Sequence, residues 1–231
     1  MKNILLIIFF LGIPPLMGQV SEAGGSSQSA ADGLNAQGQW KDGLKWGKWT
    51  YYYANKYISE TGNYLEGEKH GEWIGYRPDG SVSYHYHYLK GKKHGWCKDF
   101  TQAFVLTAIG QFEYGRKKGF WKYYYEDGQM AETGKYVDGD KDGLWQCYYP
   151  GGHLKSALSY HNNMLEGWGK NYDSTGTIVS EGNFSKGIRN GDFLYYESGK
   201  IRAKGYYEEN VRQGVWKFYD KRGNLVKIFE Y

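Results

Sequence analysis

Glycine recurs on a fixed period of 24 residues. Gly47, Gly71, Gly95, Gly119, Gly143, Gly167 and Gly191 are each 24 apart, and Gly214 follows after 23. A strict period of this length marks a stack of identical supersecondary units, each too small to bury its own apolar face. With this glycine as the zero of each unit, a second series lies four residues earlier: Gly43, Gly67, Gly91, Gly115, Gly139, Asn163, Gly187 and Asn210. Asparagine tolerates positive φ better than most residues, so this slot is expected to need a left-handed backbone.

Other slots keep the register. Position +2 holds Trp49, Trp73, Cys97, Trp121, Trp145, Gly169, Phe193 and Trp216. Position +5 is aromatic throughout: Tyr52, Tyr76, Phe100, Tyr124, Tyr148, Tyr172, Tyr196 and Tyr219. Position +11 is aliphatic from Ile58 to Leu225, and the unit closes on an aromatic from Tyr64 to Tyr231, once one residue is deleted between Gly191 and Gly199. Aromatic residues make up 19% of the chain, which favours pleated sheet, and so many glycines per unit make a long helix costly.

Each unit therefore reads as a β-hairpin. The first strand is expected over positions +1 to +6, a turn at segments such as Pro78-Asp79-Gly80, and the second strand over +11 to +17. A Gly-x-x-x-Gly turn then leads to the next unit. The tryptophan slot should face position +15, which is glycine at Gly62, Gly110, Gly134, Gly182 and Gly205. The predicted fold is all-β: an elongated, single-layer meander of stacked hairpins, about eight 24-residue repeats with a half repeat before them, over residues 32–231.

The N-terminal residues follow a different pattern. Lys2 precedes an apolar run from Ile4 to Ile13, broken by Pro14 and Pro15, with Gly18 or Ala23 as a small residue for cleavage. Residues 1–18 read as a signal peptide, with a retained anchor as the alternative. Residues 19–31, rich in Ser, Gly and Ala, read as a flexible linker. The expected location is exported: periplasmic, envelope-associated or extracellular.

Segments such as Gly115-Arg-Lys-Lys-Gly-Phe-Trp-Lys-Tyr-Tyr-Tyr-Glu-Asp-Gly128 and Gly67-Glu-Lys-His-Gly-Glu-Trp73 resemble the MORN-repeat-variant motif. That family includes YwqK-like proteins labelled as antitoxin components. The resemblance implies a non-enzymatic interaction protein whose partner is another protein.

Catalytic signatures are missing from the sequence: no nucleophile elbow, no H-E-x-x-H and no phosphate loop. His70 and His94 occupy one turn slot in adjacent repeats, about 10 Å apart, too far to share a metal. His85 and His87 share a strand face, with Glu72 as a neighbour, but lack a third sure ligand, so no metal and no cofactor is expected. Formal net charge is only +4 with mixed signs, so no nucleic-acid partner is expected. The tryptophan slot (Trp49, Trp73, Trp121, Trp145, Phe193, Trp216) is assigned to structure. The +5 row from Tyr52 to Tyr219 is the candidate contact row. Two functions fit: an exported protein-binding scaffold, immunity- or antitoxin-like, or a structural envelope protein on a membrane surface or cell-wall glycan. Cys97 and Cys147, two repeats apart, are expected to remain unbridged within one chain.

Overall fold

The computed structural model describes residues 28–29 and 35–231. The segment read as a signal peptide lies outside the described residues. Within the stretch read as a linker, Gln28–Ser29 form a two-residue strand against Ala36 and Asn35. From Asn35 onward every strand pairs antiparallel with its chain neighbours, and among the described residues there is no helix. Strands make substantial contact only with those neighbours, so the sheet is one open layer. The chain is an all-β hairpin meander, as the 24-residue period predicts.

First strands run longer than expected. They begin three residues before the zero glycine, as in Glu68–Tyr76 and Arg116–Tyr124. The reason is that Gly-x-x-x-Gly is not one turn. Its first glycine ends a two-residue hairpin turn in which both residues have positive φ, as at Glu66 (52°) and Gly67 (81°). That geometry defines the type I′ turn, whose twist suits antiparallel strands. The second glycine lies inside the strand as a bulge. Gly71 has φ 71°, and pairing jumps from Asn63↔His70 to Gly62↔Trp73, so Gly71 and Glu72 are extra residues on one side.

The other turn is a three-residue loop. Arg77 N–H donates to Ser81 O, Gly80 N–H donates to Arg77 O, and Gly80 takes φ 85°. In the seventh repeat the one-residue deletion falls here. Ser198 and Gly199 take φ 52° and 73°, a type I′ turn, and Glu197 pairs directly with Lys200. The strands keep register, with Phe193 still opposite Gly205.

The tryptophan slot forms the core, with Trp49, Trp73, Trp121, Trp145, Phe193 and Trp216 all buried. Position +2 does pair with +15 of its own hairpin, as in Trp49↔Gly62 and Trp121↔Gly134. The ring, however, lies over the glycine on the other side. A Cβ on Gly62 would stand 2.2 Å from the Trp73 ring, and one on Gly110 2.2 Å from Trp121. Each indole covers the +15 glycine of the preceding repeat, so Trp145, not Trp121, covers Gly134.

That pairing explains the two exceptions in the slot. Where +15 is large, the next +2 is small: Tyr86 opposes Cys97, and Leu158 opposes Gly169. A Cβ on Gly169 would stand 2.6 Å from Leu158 Cδ2. Large and small exchange strands while the space stays filled.

The bulge also explains why tryptophan is favoured. Trp73 Nε1–H donates to Asn63 O at 3.0 Å, at the carbonyl where the ladder slips. Trp49, Trp121, Trp145 and Trp216 repeat this bond to Gln39, Gln111, Lys135 and Tyr206. Bulge glycine, indole N–H and flat +15 glycine thus form one device, since a buried carbonyl without a donor is costly.

Candidate interaction surface

The two sheet faces differ in chemistry. On the tryptophan face, position −2 supplies a cation above each tryptophan of the +2 slot. Lys69 Nζ stands 3.9 Å from the Trp73 ring centre, Lys117 4.5 Å from Trp121, and Arg212 4.5 Å from Trp216. Tyrosines at +4 and +17 close the sides and share hydroxyl bonds, Tyr51 with Tyr64 at 2.9 Å and Tyr123 with Tyr136 at 3.1 Å. Carboxylates complete the layer, with Glu60 bonded to Lys69 and Tyr84. This face is a covered core of stacked rings and cations, each worth a fraction to about 2 kcal/mol.

Burial raises the pKa of most of these phenols. Tyr88 is pushed up to about 12 by desolvation and by the Glu60 charge, and Tyr64, Tyr84, Tyr86 and Tyr123 are pushed higher by burial and by their hydrogen bonds. Tyr207 runs the other way: burial opposes ionisation, but bonds from Tyr195 and Arg212 outweigh it. In the unfolded chain all ionise near about 10. Their raised values therefore stabilise the fold fully below that pH, and the contribution drains away as pH climbs through about 12. Cooperative alkaline unfolding is expected in that window, with the rise in tyrosinate absorbance coinciding with loss of β-sheet dichroism. Full tyrosine ionisation before the dichroism changes would contradict it.

The opposite face holds the row proposed from sequence. Tyr52, Tyr76, Phe100, Tyr124, Tyr148, Tyr172, Tyr196 and Tyr219 are all half-buried. Two of their hydroxyls donate to sheet neighbours, Tyr52 to Gln37 and Tyr196 to Glu181. The neighbouring +6 slot clamps that end of the strands: Tyr53, Tyr125 and Tyr149 donate to the carbonyls of Tyr76, Tyr148 and Tyr172, the +5 residues one repeat on.

The row that projects is at +1, directly after the bulge glycine. Trp96 is 58% exposed, Phe120 70%, Leu144 54% and Trp168 38%. They occupy four consecutive repeats, while the same slot holds Lys48, Glu72 and Asp192 in three others and the exposed Val215 in the last. Sequence reading passed over this row, though the switch from charged to apolar in one slot was its visible signal. Two depressions adjoin it. One, of about 600 Å³, lies among Trp96, Lys98, His85, His87 and Ile109. The other, of about 430 Å³, lies among Phe120, Leu144, Lys135 and Asp142.

The family model for the MORN repeat variant matches residues 119–138, 141–162, 190–209 and 212–231. Each match begins at or near a bulge glycine and runs through the hairpin just described. Residues 119–231 carry MORN repeat variants. Comparison with curated proteins gives no match.

The matched MORN repeats form a repeat-protein scaffold. His85 Nε2 stands 3.8 Å from Glu72, His87 Nδ1 bonds the carbonyl of His94, and His70 pairs across the ladder with Asn63. Among the described residues no three candidate ligands converge on a point. Cys97 and Cys147 are both free. They stand on strands four steps apart, about 19 Å at ordinary strand spacing. Burial raises both thiols, Cys97 within the buried core and Cys147 half-buried beside Glu132, and so disfavours the reactive thiolate.

Proposed function

We propose that this MORN-variant chain is a non-catalytic, exported scaffold that binds another protein along the face opposite its tryptophans. The observation that carries the reading is the row Trp96, Phe120, Leu144 and Trp168, a contiguous apolar stripe kept exposed on a sheet whose other face is sealed by its own rings and cations. Export rests on the apolar run after Lys2. An immunity- or antitoxin-like role is the form of binding that the family resemblance favours. The envelope alternative, association with lipid or glycan, draws on the same aromatic row.

Cross-linking of the intact chain in its host, followed by fractionation, tests this. A stoichiometric protein partner that is lost from the Phe120→Ser, Leu144→Ser double variant supports the scaffold. Sedimentation with lipid or glycan and no protein partner supports the alternative. N-terminal sequencing of the same material checks export: an intact Met1 on soluble cytoplasmic protein rules it out.

A further inference from the structure

The stripe has a definite geometry and a definite charge. It crosses the strands at right angles, one side chain per repeat. One repeat is two strand spacings, about 9.6 Å. Seven residues of α-helix rise about 10.5 Å. Four repeats therefore match an apolar seam of seven-residue period along a helix of about 20 residues.

Lysines set the charge. Lys135 pairs across the ladder with Phe120, and Lys98 lines the Trp96 depression. Lys122 lies one strand face-step beyond Phe120, opposite Thr133. Among the described residues, none of these three lysines has a carboxylate partner, whereas the nearby Glu113, Asp142 and Glu181 are engaged by Lys118, His161 and Lys170, and Glu166 accepts from Ser185 Oγ and the Lys186 N–H. The stripe is thus an apolar seam edged by unpaired positive charge. A second copy laid face to face would bring these same lysines together, which disfavours self-pairing.

We infer that the partner presents an acidic amphipathic helix, seated along Trp96, Phe120, Leu144 and Trp168 with its carboxylates towards Lys98, Lys122 and Lys135. The assignment rests on the scaffold reading above and deepens it. Apolar anchors supply the affinity, and the lysines select the acidic ligand and its direction.

A synthetic helical peptide of about 24 residues tests it, with Leu at the two apolar positions of each heptad and Glu beside them, titrated by fluorescence anisotropy against the intact chain. Saturable binding is expected. Phe120→Ser with Leu144→Ser should weaken it by at least about tenfold. Those side chains are exposed, so the variant's melting temperature should match the parent. Lys98→Glu with Lys122→Glu should shift preference towards a peptide with Lys in place of Glu. Binding undiminished in the serine variant, or tighter binding of the Lys peptide to the parent, overturns the assignment. So does adsorption to phosphatidylglycerol vesicles with no binding of the Glu peptide. Failure of the peptide leaves the scaffold reading intact, because that reading fails only if no protein partner is captured in the host.

Discussion

Gly134→Ala is expected to destabilise the array by about 3–5 kcal/mol, the range of a lost large core side chain. A Cβ there would stand 2.2 Å from the Trp145 ring. The ring cannot slide away. It packs edge-on against Tyr136 with centres 4.9 Å apart, lies under Lys141 at 4.0 Å, and donates Nε1–H to Lys135 O at 3.1 Å. Admitting one methyl group therefore means unseating the indole. The paired variant Gly134→Leu with Trp145→Gly copies the Leu158–Gly169 arrangement and should recover at least half of the loss. Denaturant unfolding of single and double variants measures both terms as a cycle. A cost for Gly134→Ala below about 0.5 kcal/mol, the range of an ordinary surface substitution, would contradict the close approach.

Trp121→Ala should cost roughly 3 kcal/mol. The indole is buried over Gly110 and packs edge-on against Phe112 at 5.1 Å and Tyr136 at 6.0 Å. Its removal also leaves Gln111 O without the N–H now 3.1 Å away. Trp121→Phe separates the two effects. It keeps most of the apolar contact and loses the bond, so about 1–2 kcal/mol is expected. Phe193 shows that the slot accepts phenylalanine. Because each repeat contacts only its neighbours, hydrogen exchange should quicken most around residues 106–137 and little near the C-terminal strands. An unchanged melting temperature for Trp121→Ala would place this row on an exposed face.

Much of this architecture is local and therefore legible in sequence. The period, the hairpin, the left-handed slots filled by Gly or Asn, and the +2/+15 register all follow from backbone sterics and side-chain alternation. The same holds for the turn that absorbs the seventh-repeat deletion, since losing one residue from a loop leaves strand parity unchanged. What Gly-x-x-x-Gly does was less legible. A type I′ turn and a bulge both require positive φ, and composition cannot tell them apart.

Three features were decided only by the tertiary structure. Gly62 pairs with Trp49 on one side and Trp73 on the other. Pairing alone treats these neighbours alike, and only the packed side chains show that Trp73 is the one that covers it. The exchange of large and small at Tyr86–Cys97 and Leu158–Gly169 becomes readable only after that choice. Exposure is the third. Rows +1 and +5 lie on the same face and are both rich in apolar residues, yet +5 is shielded beside the turns that the +6 side chains clamp, while +1 projects next to a glycine without a side chain. Alternation assigns a residue to a face, but burial depends on what the adjacent repeats place around it. That is why the sequence by itself determined the sheet, and only the packed array showed which of its rows is open to a partner.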